Sequence, residues 1–352
     1  MSIFKSHISQ MGAYKPPLEG RDNHQHLLLD FNERVLPVAP AVKQALIDFI
    51  NDDQLQVYPA YGNITQKIAD YCGVKSEQVM ITNGSDQGID LIIRSACQEG
   101  DEAIIPGPTF AMYHQCAKVE NLNIIEPTYS RENGFPKQAV IDAITNKTRL
   151  IVLANPNNPC GTPVARETIL EIAKAAPQAA TLVDECYFEY TRQTVCDAVE
   201  EYPNLLVTRT FSKTWGLPSV RLGYVISRKE NIDALLNVRG PYDVNQLAVV
   251  AIDAALSNPE YTQEYVKEVI EVSKPMLEAF LDKKAIKYWP TVANYIWVFP
   301  DNPDAMEKHI RASGILVRPK LDANGRKGLR ITLGNKRQTL KLEQCLSSFE
   351  IN

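Results

Sequence analysis

The stretch Thr210-Phe211-Ser212-Lys213-Thr214-Trp215-Gly216, followed eight positions after its lysine by Arg221, decides how this chain is read. It follows the apolar run Leu205-Leu206-Val207-Thr208, the signature of a buried strand. A lysine just past such a strand, among small and aromatic residues, is an unusual place for a solvated amine. Desolvation and neighbouring positive charge lower an amine's pKa, which a Schiff-base lysine requires. The hydroxyls of Thr210 and Ser212, with the Arg221 guanidinium, form a donor set suited to one phosphate dianion. Taken alone, the stretch reads equally well as a surface Lys and Arg flanking a turn.

Similar apolar runs recur on either side: Gln78-Val79-Met80-Ile81-Thr82, Glu102-Ala103-Ile104-Ile105, Leu150-Ile151-Val152-Leu153-Ala154, Thr181-Leu182-Val183-Asp184 and Leu222-Gly223-Tyr224-Val225-Ile226. They lack polar alternation, so both faces are expected to be covered by helices, which means a largely parallel sheet. Helical spacing lies between them, as at Val42, Leu46, Phe49 and Ile50, or at Ile89, Ile92, Ile93, Ala96 and Cys97. After Asn245 the pattern changes. Val266, Val269, Ile270, Met276, Leu277, Phe280 and Leu281 form one helical stripe, and strand-like segments follow at 294–299, 315–317 and 329–333. In the last, Leu329, Ile331 and Leu333 alternate with Arg330 and Thr332. The expected fold class is α/β. A large domain over 46–245 carries the sheet, a smaller α+β domain spans 246–352, and residues 1–45 form an N-terminal arm with part of the small domain.

The chain has 352 residues, which at about 150 per domain agrees with that division. With 45% hydrophobic and 22% charged residues it reads as a soluble globular protein and excludes disorder. No stretch approaches the roughly 18–20 apolar residues of a membrane helix, and no secretory leader is readable, so a cytoplasmic location is expected. The net charge of −5 is spread without a basic run, which argues against nucleic-acid binding. The seven cysteines form no C-x-x-C pair and read as reduced thiols; His24 and His26 lack a second ligand pair, so no metal is expected.

Three further features follow predicted strands. In Leu182-Val183-Asp184-Glu185-Cys186-Tyr187, Asp184 sits at a strand's carboxyl end, where ligands bind in open α/β sheets. Its carboxylate could pair with a protonated pyridine nitrogen and Tyr187 could reach a ring oxygen, although an Asp capping the next helix has the same pattern. In Asn155-Pro156-Asn157-Asn158-Pro159-Cys160-Gly161, an Asn amide held in a tight turn can donate to a phenolate-like oxygen. Asn83-Gly84-Ser85-Asp86 opens a helix whose N–H groups suit an anion. No Walker loop and no G-x-G-x-x-G fingerprint is present, which argues against a nicotinamide oxidoreductase. A phosphate cradle, a ring-nitrogen partner, ring-oxygen donors and a Schiff-base lysine together describe pyridoxal 5'-phosphate.

Gly84-Ser85-Asp86, Pro108-Thr109-Phe110, Asn157-Asn158-Pro159, Asp184-Glu185-x-Tyr187, Ser212-Lys213 and Arg221, in this order, resemble the fold-type-I pyridoxal-phosphate aminotransferases, and most closely the histidinol-phosphate aminotransferases. The likeness runs from Tyr14 and Leu29-Asp30-Phe31-Asn32-Glu33 to Leu329-Arg330-Ile331-Thr332. It implies a seven-stranded-type sheet and assigns roles by position. Lys213 would carry the cofactor and move the proton between Cα and C4'. Asp184 would hold the pyridine nitrogen, Asn158 and Tyr187 the ring oxygen, and Phe110 would stack on the ring. Ser85, Asp86, Thr210, Ser212 and Arg221 would surround the phosphate. Tyr58 would reach the phosphate of a neighbouring subunit, implying a homodimer with shared sites. Arg330, Arg318 and Tyr14 would bind the substrate's anionic end, with Tyr58 beside them. The resemblance implies a ping-pong transfer from histidinol phosphate to 2-oxoglutarate. An aromatic aminotransferase, a threonine-phosphate decarboxylase-like enzyme and a non-catalytic pyridoxal-phosphate-binding regulator stand as alternatives. Two departures stand out: Asn32-Glu33 continues with Arg34-Val35, adding a charge expected near the site's mouth, and Cys160 stands in the Asn158-Pro159 loop.

Overall fold

The structure, a computed structural model, describes residues 3–349. Met1 and Ser2, the start of the segment read for a leader, lie outside them. In chain order the strands are β1 (Leu27–Leu28), β2 (Val79–Thr82), β3 (Glu102–Ile104), β4 (Asn123–Ile125), β5 (Thr148–Ala154), β6 (Ala180–Asp184), β7 (Leu205–Thr210), β8 (Gly223–Ile226), β9 (Lys287–Trp289), β10 (Tyr295–Phe299), β11 (Ile315–Leu316), β12 (Arg318–Leu321) and β13 (Lys327–Thr332). Seven of them form one sheet in the order β2-β8-β7-β6-β5-β3-β4. All neighbours are parallel except β8, which runs against both β2 and β7. The fold is thus the fold-type-I α/β architecture expected.

The apolar runs form strands because each side of the sheet needs its own core. Ile151, Leu153, Val183 and Val207 enter one apolar cluster, while Leu150, Val152, Leu182 and Leu206 enter the other. The period of two therefore splits every run between two helical layers. The helix Gln246–Leu256 packs Ala248, Ala251 and Ile252 into the first of these cores. The boundary expected at 245 thus falls at the head of a helix that belongs by packing to the large sheet, and the helix Pro40–Asn51 runs across the one expected at 45.

Beyond it, β12-β13-β10-β9 form an antiparallel sheet with its own core, in which Ile296, Val298, Leu329 and Ile331 lie. The helical stripe predicted through 266–281 is not one straight helix. A π-helical turn, Val269–Ser273, separates Glu260–Glu268 from Lys274–Lys283. Pro275 at the head of the latter lacks an N–H, so the regular i to i−4 ladder cannot pass through it. The N-terminal segment is tied in by β1 alongside β11 and by Thr332 N–H donating to the Leu29 carbonyl at 2.8 Å.

One ion pair anchors the central strands. Arg209 on β7 donates from Nη2 to the Glu185 carboxylate at 2.7 Å, and both side chains are almost wholly buried. Glu185 also accepts from the Val195 N–H and the Thr194 hydroxyl, and the guanidinium lies 3.6 Å over the Phe188 ring. Every acceptor is used, so the pair is offset against desolvation and removing one partner strands a charge. Arg209→Met is expected to cost about 3–5 kcal/mol in urea unfolding, and adding Glu185→Gln to recover a good part of it. Equal melts for the two variants would contradict this.

Candidate active site

The parallel order brings the motifs to one edge. β2, β3, β5, β6 and β7 all end there, and antiparallel β8 begins there, directly after Arg221. Ala154, Asp184 and Thr208 lie side by side in register on β5, β6 and β7. A cleft of about 600 Å³, its open mouth included, lies over this edge. Ser85, Asp86, Phe110, Asn158, Asp184, Tyr187, Thr210, Ser212, Lys213 and Arg221 all line it.

Lys213 projects its amine to the Phe31 carbonyl, with Nζ donating at 2.9 Å. Burial, then the charge of Arg330, pushes this amine below the ordinary lysine range. Asp184 accepts the Cys186 N–H at 3.0 Å and the Tyr113 hydroxyl at 2.5 Å. Burial raises its pKa against the opposing pull of these donors, and no cation is paired with it among the described residues. Tyr187 accepts from the Asn32 side-chain amide at 2.8 Å and is itself raised by burial. Asn158 Oδ1 accepts from Arg330 Nη1, which leaves its amide N–H₂ as the donor toward the cleft.

At the other end lies an anion cradle. The helix Gly84–Ala96 starts without a side-chain cap, so its first N–H groups have no capping side chain. A Cβ on Gly223 would meet Ser85 N at 2.4 Å and the Gly84 carbonyl carbon at 2.6 Å. One on Gly84, which has φ +74°, would meet Arg221 Nη2 at 2.3 Å. Bare backbone at both positions lets strand, helix start and guanidinium close together. Arg221 reaches the Asp86 carboxylate at 3.1 Å, and Ser212 Oγ at 3.4 Å. Asp86 thus orients the arginine. The set of donors fits pyridoxal 5'-phosphate: an amine with depressed pKa, a buried carboxylate lacking a cation, and a phosphate-sized cradle.

The substrate residues are placed less uniformly. Arg330 and Arg318 pair across β13 and β12. Arg330 is 5% exposed, with Nη2 donating to the Asp30 carbonyl and Nε lacking a protein partner. Both faces of β13 are buried there: Leu329 and Ile331 enter the small sheet's core, and on the other side Arg330 Nη1 donates to Asn158, which lines the cleft. Arg318 lies over the Phe31 ring at 5.3 Å. Tyr14 is exposed, and Tyr58 is 74% exposed and stacked on Tyr242, outside the cleft of a single chain. Arg34 is not at a solvent-facing mouth: it is buried, its Cζ 4.3 Å from the Tyr261 ring centroid and 5.2 Å from that of Tyr265. Cys160 is buried and leaves Asn158 lining the cleft.

Sequence reading assigned no role to Tyr113, Phe31 or Asn32. Tyr113 sits three residues beyond Phe110, a helical spacing that puts both on one side, and that was its one available signal.

Comparison with known proteins gives a consistent neighbourhood. A family model described as aminotransferase class I and II matches residues 26–344. A histidinol-phosphate aminotransferase of Dehalococcoides mccartyi is 34% identical over 310 residues, 87% of this chain and 85% of that one. One from Leuconostoc citreum is 31% identical over 359 residues, covering 98% and 100%. Among solved structures, the histidinol-phosphate aminotransferase of Sinorhizobium meliloti in complex with pyridoxal-5'-phosphate superposes with a TM-score of 0.88 at 22% identity, covering 98% and 97%. An L-threonine-O-3-phosphate decarboxylase from Porphyromonas gingivalis gives 0.77 at 19%, covering 92% and 99%. At such identities the two structures speak for the fold.

Because Asp184 is held at a burial cost, Asp184→Asn is expected to stabilise the cofactor-free protein by about 1–3 kcal/mol at neutral pH. A carboxyl whose folded pKa is raised is a liability above its unfolded pKa, so the gain should shrink as pH falls toward about 4. Thermal melts of both proteins across pH check it; a destabilised variant would contradict it.

Proposed function

This chain belongs to the class I and II aminotransferases, and from that premise we propose that it moves the amino group of histidinol phosphate to 2-oxoglutarate. Membership makes it a pyridoxal-phosphate enzyme; the donor is our reading. It is supported by the names of the relatives at 34% and 31% identity, and by Arg318 and Arg330 standing opposite each other, with Arg330 donating to Asn158 of the cleft. We place the reaction in the cytoplasm, in a homodimer in which Tyr58 of each subunit completes the other's site; its exposure in a single chain agrees with this.

When bound, pyridoxal 5'-phosphate supplies the electron sink that makes the donor's Cα–H acidic. The chain's own groups do the rest. Ser85, Thr210, Ser212 and Arg221 hold the phosphate, and Asp86 keeps Arg221 turned toward it. Asp184 would hold a proton on the ring nitrogen, and a cation there would offset the burial cost of the carboxylate. Asn158 and Tyr187 hold the ring oxygen, each oriented from behind, by Arg330 and Asn32. Phe110, with Tyr113 edge-on behind it, limits ring movement. Lys213 Nζ would take the proton from the donor's Cα and pass it to the bound cofactor. Burial and the charge of Arg330 lower its pKa, so it gives up its proton more readily than a free lysine, as a base must. Arg318 and Arg330 bind the anionic end.

The observation that carries this reading is the depressed amine of Lys213 in the same cleft as the buried Asp184 carboxylate. The purified holoenzyme should lose its visible cofactor band on adding histidinol phosphate alone and regain it with 2-oxoglutarate. Lys213→Ala should lower turnover by about 10⁴-fold or more while pyridoxal phosphate still binds. A band unmoved by histidinol phosphate would sink the donor; carbon dioxide release would favour the decarboxylase reading instead. Cofactor capture by the cofactor-free protein should accelerate with pH, with its midpoint below that of a free lysine, because protonated Lys213 cannot attack the aldehyde.

A further inference from the structure

The sequence singled out two cations for the substrate's anionic end, yet the structure brings a third to them. Lys320 lies two residues after Arg318 on β12, and the burial along Arg318–Leu321 alternates, with Arg318 and Lys320 half-buried and Pro319 and Leu321 exposed. The two long cations therefore share the inward face. Arg330 is directly opposite Arg318 in the antiparallel register, and so stands on that same face. Lys320 is opposite Gly328, which has no side chain to cover it, and Arg330 is its diagonal neighbour.

None of the three is neutralised. Among the described residues, neither Arg318, Lys320 nor Arg330 forms an ion pair with a carboxylate, although fourteen such pairs are formed elsewhere. Asp30, which lies near Arg330, is taken by Arg21 at 3.0 Å. Burial, and then the charges of Arg330 and Arg318, push the Lys320 amine down to about 8. Three like charges held together, with the one nearby acid already paired to Arg21, are unfavourable unless an anion completes them. A carboxylate brings one negative charge, whereas a phosphate monoester brings nearly two at neutral pH.

We propose that Lys320 is a specificity-determining residue: together with Arg318 and Arg330 it forms a three-cation seat that selects a phosphate monoester dianion over a singly charged end group. This rests on the donor reading above and deepens it, since it names the residue that makes the phosphate count. The single distal carboxylate of the acceptor leaves the seat over-charged, so the acceptor binds it less strongly than the phosphorylated donor does.

The test uses holoenzyme, whose own phosphate cradle is filled by cofactor, as the unaltered protein and as Lys320→Gln and Lys320→Arg. The preference for histidinol phosphate over unphosphorylated histidinol, as a ratio of kcat/KM, should fall about tenfold or more in Lys320→Gln, mostly through KM. Lys320→Arg should restore most of it. A general structural defect would depress both donors together and leave the ratio where it was. Calorimetric titration with inorganic phosphate runs alongside, with weaker binding expected for Lys320→Gln. If the unaltered enzyme turns over histidinol phosphate, the ratio decides, and an unchanged ratio overturns the role of Lys320. If it ignores histidinol phosphate, the donor reading fails and phosphate binding decides alone. Binding weakened by Gln and recovered by Arg keeps the three-cation seat. Binding that is absent, or equal in all three proteins, removes it.

Discussion

The register of three parallel strands is the constraint on which the site depends. Hydrogen bonds hold Ala154, Asp184 and Thr208 level across β5, β6 and β7, so the loops that follow leave the sheet at one height. Asn158, Tyr187 and Lys213 come from three separate loops, and none of them has to be long. A shift of one residue in any ladder would turn its side chains to the other face and exchange their two cores. The apolar split between those cores makes such a shift costly, and the buried Arg209–Glu185 pair ties β7 to the turn immediately after Asp184. Positions at the chemical centre are therefore set by main-chain geometry and by groups that never meet the ligand.

What that framework holds in place is a set of charges kept dry. Lys213, Asp184 and Arg330 all have their charged forms penalised by burial. Each also has a polar neighbour oriented toward it: the Phe31 carbonyl, the Tyr113 hydroxyl, and the Asp30 carbonyl. These contacts aim the groups without neutralising them. In the proposed reaction a cationic ring nitrogen, an aldehyde and an anionic substrate tail would supply the missing partners, so binding would relieve costs already present in the fold and need little reorganisation.

How far the sequence could be read follows from this geometry. Motifs that directly follow a strand were legible, because in a parallel sheet the end of a strand is already a place in space; Asp184, Asn158, Ser85 and Lys213 are all of this kind. The small antiparallel sheet was legible from the alternation at Leu329, Ile331 and Leu333. The rest depends on contacts between distant segments. Arg34 looked like an added surface charge, but Tyr261 and Tyr265, more than two hundred residues away, cover it. Lys320 carried no motif, and its importance emerges from the β12–β13 register alone.

The segment around Asp30, Phe31 and Asn32 has one more consequence, which concerns time. Asn32 N–H donates to the Thr332 hydroxyl, and Arg330 donates to the Asp30 carbonyl, each across 300 residues of chain. The same segment supplies the carbonyl for Lys213 and the amide for Tyr187. On a growing polypeptide these residues emerge early and must wait for nearly the entire chain before their partners on β13 exist. The large sheet can assemble in the meantime, but the substrate end of the cleft cannot, since loop closure over such a span comes late in folding. Competence therefore arrives in a single step near the end of synthesis, and a chain stopped short of β13 has a cofactor shelf without the seat that gives it something to act upon.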